Sequence, residues 1–516
     1  MEFISILNDV LGPVMRGPSS SHTAGSYHIG RLVRSLLGEE PAAAAFTFDP
    51  HGSYAKTYRQ QGVDLALASG LLGWPITDGR FAKALTIAPK QGLRLDFWIA
   101  PLERVDHPNT VKIELASKRG KSLKATAQSV GGGMIVLTEL EGWPVALDGK
   151  SYEVIVFADK RQGRLLQSII SSDGQLVGDP VRQVRDKGVF LSFKRKAPLS
   201  QETRAQLDRL RGVRETWLAS PLFYVQKGTP LFSTGTEMIR VARARRFSLG
   251  ETVLAYEAKL LGISEKEVIG EIRRRFEIMR NSVRQGLSGR GIRMQLLRPT
   301  AGRIFRSEAN ARLPAGGLHT RAAARAMAAL HVSNSLGIVC AAPTGGSAGV
   351  LPGVAVTLVE EKKLDGEKTA LALLAASAIG LIIARRATFA AEVAGCQVEI
   401  GAAGAMAAAA VVEAVGGSPA QAADAAAVSL QNTMGSVCDL VQGICEIPCH
   451  TRNAVAAASA FVCADLILGG YRNPIPLDET IDAVYSSGKM LPAELRCTAL
   501  GGIAMTPSAL SLPRLK

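Results

Sequence analysis

The sequence predicts a multidomain α+β protein in four successive parts. These are an N-terminal α/β domain (residues 1–150), a ferredoxin-like module (151–225), a linker (226–236) and an all-α helical bundle domain (237–516). Three observations lead there. The length, 516 residues, exceeds one compact core and suits about three domains at roughly 150 residues each. Strand-type alternation is confined to the first half of the chain, while Ala-rich helical patterning dominates the second. Hydrophobic residues make up 47% and charged residues 20%, which excludes a disordered chain. Aromatics are only 5% against 52 glycines, so the helices must pack closely on small side chains.

The elements follow in chain order. An apolar helix is expected over 24–37. Thr110-Val111-Lys112-Ile113-Glu114-Leu115 alternates with period two, as a half-buried strand does, and Gly131-Gly132-Gly133 precedes an apolar strand over 134–137. Residues 152–225 read as strand (152–157), helix (162–170), strand (181–185), strand (189–194), helix (201–210) and strand (213–225). That order is the split βαβ arrangement. Gly228, Pro230, Ser233 and Gly235 mark 226–236 as the linker. Beyond it, 251–284 is amphipathic and rich in Leu, Glu and Arg, and 321–465 is Ala, Val and Leu broken by glycine-rich turns. This pattern predicts tightly packed, mostly buried helices whose breaks carry function.

Charge and cysteine are unevenly placed. Of the net charge of +15, residues 151–300 supply most, with 28 Lys and Arg against 15 Asp and Glu. These charges are interspersed with Glu on helical faces, and no cluster of stacking aromatics accompanies them, so nucleic acid is not an expected partner. The seven cysteines are Cys340, Cys396, Cys438, Cys445, Cys449, Cys463 and Cys497. An odd number confined to one end of a long chain argues against a secreted disulfide scaffold. Met1-Glu2-Phe3 opens an acidic amphipathic segment unlike a secretory signal, and the longest apolar run, 370–384, falls short of the roughly 20 residues a bilayer needs. A cytoplasmic protein without membrane spans is expected.

Two loops stand out. Gly12-Pro13-Val14-Met15-Arg16-Gly17-Pro18-Ser19-Ser20-Ser21-His22-Thr23-Ala24-Gly25 places four hydroxyls and a histidine between glycines, just ahead of a helix. Capping explains one serine. Three serines, Thr23 and His22 together point to an anion site at a helix start, suited to carboxylate or phosphate. Pro343-Thr344-Gly345-Gly346-Ser347-Ala348-Gly349 is the second loop. It lacks the Lys-Ser/Thr pair of a phosphate loop, so a small carboxylate fits it better, and a plain glycine-rich helix break is the alternative.

Among the cysteines, Cys396, Cys438 and Cys449 have glycine, a charge or proline beside them, which places them in loops. A lone cysteine in an Ala-rich bundle is by default a small buried hydrophobe, and Cys463 is left in that role. No Cys-x-x-Cys pair occurs, which disfavours a zinc ribbon, whereas three thiolates are able to hold a four-iron cluster with one iron open.

These motifs together resemble those of the iron–sulfur-dependent L-serine dehydratases (L-serine ammonia-lyases), with the family's β and α chains fused. The β-like part rests on Gly17-Pro18-Ser19-Ser20-Ser21-His22-Thr23-Ala24-Gly25, His107-Pro108-Asn109-Thr110 and Gly131-Gly132-Gly133. The α-like part rests on Ala342-Pro343-Thr344-Gly345-Gly346-Ser347-Ala348-Gly349, Glu392-Val393-Ala394-Gly395-Cys396-Gln397, Val437-Cys438-Asp439 and Ile447-Pro448-Cys449. The resemblance implies that 1–150 is β-chain-like, that 237–516 is α-chain-like, and that Cys396, Cys438 and Cys449 hold a [4Fe-4S] cluster. It implies β-elimination of water from L-serine to pyruvate and ammonia, with the open iron acting on the substrate hydroxyl. Ser19, Ser20, Ser21, Thr23, Thr344, Gly345 and Ser347 are then the carboxylate clamp, with Asn453 a further candidate contact. Residues 151–225 resemble an ACT-type amino-acid-binding module, although its usual Asp-x-Pro-Gly turn reads Asp159-Lys160-Arg161-Gln162-Gly163 here.

One departure bears on the chemistry. Where the family has a Gly-His-x-Thr-Asp turn, this chain has Gln60-Gln61-Gly62-Val63-Asp64, and glutamine cannot act as a base near neutral pH. Either His22 or His51 takes over, or the substrate differs, or activity is lost; catalysis is expected to depend on His22. Cys497 either caps the open iron as a fourth ligand or is a spectator, and Cys340 and Cys445 lie near proposed sites without matching the ligand pattern. The expected partners are a small amino acid and a second copy of the chain, as a homodimer. The competing reading is a non-catalytic homologue that senses an amino acid.

Overall fold

Alternating strands in the first half and small-residue helices in the second sort the chain into two compact units, seen in a computed structural model that describes residues 3–186 and 188–515. One unit is Gly25–Lys227; the other joins Met1–Ala24 to Gly228–Lys516. The chain's first residues thus belong with the helices, so spatial grouping departs from a division drawn in chain order. Met1 and Glu2, on which the reading of an acidic start partly rests, lie outside the described residues.

Strand β1 (Val14–Arg16) belongs to the helical unit. In the unit Gly25–Lys227, strands β2 (Pro41–Phe48), β3 (Arg94–Ile99), β4 (Thr110–Ser117), β5 (Ser122–Gly131), β6 (Met134–Leu140) and β7 (Trp143–Leu147) form one sheet in the order β3-β2-β4-β5-β6-β7. Only β2 and β3 pair in parallel; every other neighbour is antiparallel. This corrects the expected α/β domain to a mainly antiparallel α+β one. The cause is local: β4 to β7 are joined by short turns, one built on Gly131, Gly132 and Gly133, all at positive φ, and a parallel sheet would need longer crossovers. The helix Gly25–Leu37 covers the sheet and packs on the helix Val63–Leu71 at a close crossing, where a Cβ on Gly30 would stand 2.8 Å from Leu67 O.

In the same unit, β8 (Tyr152–Asp159), β9 (Val181–Arg185), β10 (Gly188–Arg195) and β11 (Val213–Ala219) form a second sheet in the order β11-β8-β10-β9. With the helices Gly163–Ser172 and Gln201–Arg209 this is a βαββαβ unit. Leu166, Ile169, Ile170 and Leu207 of the two helices pack on Val154, Val156, Val189, Leu191 and Phe193, so both helices cover one face. Ile155, Phe190 and Trp217 on the opposite face join the core of the larger sheet.

The helical unit holds its N-terminal segment by one buried carboxylate. Glu257 accepts from Ser5 Oγ, from Ile6 N (3.0 Å) and from Leu7 N (3.1 Å), while Tyr256 donates its hydroxyl to Ile4 O (2.8 Å). The amphipathic stretch after the linker divides into Leu249–Leu261 and Glu265–Ser288, because Gly262 takes a left-handed cap and Ser264 opens a capping box with Glu267. Helices Gly317–Asn334, Gly366–Arg386, Ile400–Ala414 and Cys449–Leu468 build the centre, and β12 (Ile338–Cys340) pairs with β1. Small residues permit the close packing: a Cβ on Gly353 would come within 2.7 Å of Ala322 O. Gly366–Arg386, Cys396–Ala414 and Cys449–Leu468 are long and apolar enough to cross a membrane, which corrects the expectation based on a short apolar run. Their most apolar windows are 78%, 89% and 50% covered within the protein, so only the last presents much of its surface.

Replacing Glu257 with Ala leaves three donors unsatisfied and is expected to cost about 3 kcal/mol of stability. Replacing Glu277, exposed in an ion pair with Arg280, is expected to stay within about 0.5 kcal/mol. Urea denaturation of the two variants checks the contrast.

Candidate functional site

Two sequence-distant loops are brought together by the pairing of β1 with β12, in which Val14 faces Cys340, Met15 faces Val339 and Arg16 faces Ile338. Gly17 N donates to Gly337 O (3.2 Å), and Ala341 N to Pro13 O (3.0 Å), extending the ladder at both ends. The loops leave opposite ends of this antiparallel pair and fold back to meet. A Cβ on Gly345 would stand 2.8 Å from Ser20 N and 3.0 Å from Pro18 O, so only glycine fits there.

In the first loop, Ser20–Ala24 form a single π-helical turn. His22 is buried, with Nδ1 3.3 Å from Ser19 Oγ and 3.1 Å from Ser21 Oγ, and its backbone N–H donates to Ser19 Oγ (3.2 Å). Burial pulls His22 down to about 4, so its imidazole is neutral at physiological pH. Thr23 N donates to Ser19 O (2.9 Å), closing the turn. In the second loop, Thr344 and Ser347 bond reciprocally: each backbone N–H donates to the other's hydroxyl at 3.2 Å, and the hydroxyls are 3.0 Å apart. Asn453 ties this loop to the helix Cys449–Leu468. Its Nδ2 donates to Gly346 O and Cys449 O, both at 2.9 Å, and its Oδ1 accepts from Gly349 N (3.2 Å). The amide is thereby engaged in holding the loop.

The thiols converge beside these loops within the same unit. Gly395 is at φ 74°, and its close approach to Ser436 O, 2.6 Å from where a Cβ would lie, sets the turn before Cys396 against the one before Cys438. Gln397 fastens them, accepting from Gly435 N (2.8 Å) and donating to Ala394 O (3.0 Å). The Cys396 and Cys438 sulfurs and a carboxylate oxygen of Glu399 lie within 4.8 Å of one another. Cys438 N donates to Leu495 O and Cys497 N to Cys438 O, both at 2.8 Å, so the C-terminal segment pairs with this turn and sets Cys497 against Cys438. Asp439 reinforces the pairing by accepting from Ile503 N (2.8 Å). Cys449 begins the helix Cys449–Leu468. The turn before it is anchored by Glu446, which accepts from Gln295 N (2.6 Å), Leu296 N (2.8 Å) and Leu297 N (2.7 Å).

Arg452 is a cation that faces the thiols. Arg452 Nη1 lies 3.8 Å from Cys396 Sγ and 2.9 Å from Asp439 Oδ1. The Cys438 hydrogen bond, aided by Arg452, holds Cys396 below the ordinary thiol range. Hydrogen bonding to Cys396 and Cys497 together with burial pushes Cys438 well up, and Cys445 with burial does the same to Cys449. Cys497 is pulled down by its Cys438 hydrogen bond but carried to about 11 overall by burial and by Glu392 and Glu399. Burial, then the charges of Cys396, Cys445 and Glu392, raises Glu399 well above the usual carboxylate range. Thiols packed against one another and beside a guanidinium fit a soft, positively charged group that takes them all as thiolates, and an iron–sulfur group is such a group.

The structure thus brings Ser19, Ser20, Ser21, His22, Thr23, Thr344, Gly345, Ser347 and Asn453 into one unit with Cys396, Cys438, Cys449 and Cys497. Cys340 is buried in β12 and Cys463 lies beside Ser459 in its helix; among the described residues neither joins the thiol group. Gln61 is buried just before the helix Val63–Leu71 of the other unit, where Asp64 is pushed up to about 6 by burial; His51 is exposed in that unit. Sequence reasoning missed Glu399, Arg452 and Glu446. Glu399 had a signal, its place one turn beyond Cys396; Glu446 and Arg452 act through folded contacts alone.

The family model described as serine dehydratase alpha chain matches residues 244–504. A probable L-serine dehydratase alpha chain of Bacillus subtilis is 34% identical over 284 residues, covering 55% of this chain and 95% of that protein. A probable L-serine dehydratase beta chain of the same organism is 41% identical over 165 residues, covering 32% of this chain and 73% of that one. An L-serine dehydratase of Streptomyces coelicolor is 28% identical over 511 residues, covering 95% of this chain and 96% of that protein.

Substituting Gly345 with Ala drives a methyl group into Ser20 N and Pro18 O and is expected to destabilise the protein by about 1–3 kcal/mol. Gly132, at φ 60° with open space around its would-be Cβ, is expected to tolerate Ala at a cost of about 1 kcal/mol. Chemical denaturation of both variants checks the difference.

Proposed function

The chain belongs to the serine dehydratase alpha chain family, and we propose that it is an L-serine ammonia-lyase in one polypeptide, eliminating water from L-serine to give pyruvate and ammonia. The observation that carries this is the convergence of buried thiols with a hydroxyl-rich loop pair in one compact unit, together with a relative named L-serine dehydratase that matches nearly the whole chain. The thiolates of Cys396, Cys438 and Cys449 would hold a [4Fe-4S] cluster. When bound, that cluster supplies a Lewis acid at its one iron without a thiolate, which favours loss of the substrate hydroxyl.

The chain's own residues supply the rest. The hydroxyls of Ser19, Ser20, Ser21, Thr344 and Ser347 hold the substrate carboxylate, and Gly345 lets the two loops close on it. Thr23 shapes the first loop from beneath, and Asn453 keeps the second in place. His22 takes the α-proton at Nε2 while its Nδ1–H is donated to Ser19 or Ser21 Oγ. As the Cα–H bond breaks, its electrons form the Cα=Cβ bond and hydroxide departs from Cβ. The resulting enamine tautomerises to an imine, which water hydrolyses to pyruvate and ammonia. Cys497, held against Cys438 by backbone pairing, would act as a displaceable fourth thiolate. For the βαββαβ unit we propose an ACT-type role, with an amino acid as its effector. A cytoplasmic homodimer is the proposed form. The non-catalytic sensor reading has only Gln61 and Val63 in its favour.

Anaerobically prepared protein is expected to form pyruvate from L-serine and to lose that activity in air; pyruvate formation unaffected by air and by iron chelation would contradict the proposal. Cys396→Ser, Cys438→Ser or Cys449→Ser is expected to lose most bound iron and activity, whereas Cys463→Ser keeps both, as iron analysis with the pyruvate assay checks. His22→Ala is expected to lower kcat by at least about 100-fold. Because burial holds His22 near 4, it stays an unprotonated base down to about that pH, and no loss of kcat/KM between pH 7 and 5 is expected from this group. A His22→Ala variant with near-wild-type turnover would remove the residue from the base role.

A further inference from the structure

Glu399 is a carboxylate that stands near both parts of the proposed site. Its side chain lies against the second loop, and one of its oxygens lies within 4.8 Å of the Cys396 and Cys438 sulfurs. The same loop bends around it, for a Cβ on Gly346 would stand 3.4 Å from Glu399 Oε2. Among the described residues no lysine or arginine forms an ion pair with it; the cation nearest the thiols, Arg452, is paired with Asp439. A carboxylate held there without an ion-paired lysine or arginine is able to receive a cation that a ligand brings.

A serine zwitterion brings one. Its carboxylate and ammonium share one carbon, and its hydroxyl is one bond further. With the carboxylate on the loop hydroxyls and the hydroxyl toward the thiols, the ammonium remains for Glu399, which stands near both the second loop and the thiols. We infer that Glu399 is the residue that pairs with the α-ammonium of the substrate and so selects amino acids over hydroxy acids of the same size. The inference rests on the proposed L-serine reading and names the specificity residue of that site.

The test compares two unreactive ligands on the anaerobic holoenzyme by calorimetry. L-Alanine has the carboxylate and ammonium; 3-hydroxypropionate has the carboxylate and hydroxyl. Glu399→Gln is expected to weaken L-alanine by at least about tenfold and to leave 3-hydroxypropionate within about threefold. Iron content and visible absorbance are expected to stay at wild-type levels, and Glu399→Asp to recover part of the L-alanine affinity. Equal weakening of both ligands, or unchanged L-alanine binding, would overturn the assignment. Loss of iron would overturn it in favour of a metal-ligand role. Wild-type holoenzyme that forms no pyruvate from L-serine would instead strike the proposed function itself.

Discussion

The short antiparallel pairing of β1 with β12 is the contact on which the site depends. Three residues of each strand suffice to join a loop near the start of the chain to one well past its middle. The pairing alone would leave the loops at opposite ends of the ladder. Glycine at 345 allows them to return to each other, and the amide of Asn453 fixes the second loop to the helix that begins with Cys449. Register, glycine and amide act in series, so the hydroxyls, the imidazole and Cys449 are positioned by one connected set of contacts. Such preorganisation leaves little reorganisation for the moment of reaction.

Charge balance around the thiols follows the same economy. Several thiolates together would repel, and the chain supplies Arg452 on one side while burial keeps most of the thiols protonated without a metal. Binding an iron–sulfur group would release those protons, which couples cofactor affinity to pH. The C-terminal segment contributes by pairing with Cys438 and by the Asp439 contact to Ile503, so the tail is part of the wall around the thiols. Cys497 stands at φ 59°, a conformation unusual for a non-glycine residue, at the point where that segment meets Cys438.

Much of this was legible in the sequence. Alternation located β4, the order of strands and helices along the βαββαβ unit could be read from residue patterns, and the glycine-bounded serine loop announced itself by holding more hydroxyls than capping requires. What stayed hidden was non-local. Patterning along β4 to β7 shows which face is buried but not which strand lies alongside, so the sheet's mainly antiparallel order was not foreseen. The first residues gave no sign of packing with the helical unit, because Glu257, which anchors them, is an ordinary helical glutamate until it is seen accepting from Ser5, Ile6 and Leu7. Asn453 looked like a ligand contact, yet its amide is engaged by Gly346, Cys449 and Gly349. The glutamine in place of histidine at Gln61 was visible at once. Its consequence depends on what His22 does.

The central claim is that Cys396, Cys438 and Cys449 leave one iron of a cluster accessible to serine. Iron-57 Mössbauer spectroscopy of the anaerobically reconstituted protein, with and without L-serine, tests it most directly. The account predicts that serine changes the signal of about one quarter of the iron and leaves the remainder in place. A cluster whose irons all ignore serine, or a protein that assembles no cluster, would contradict it.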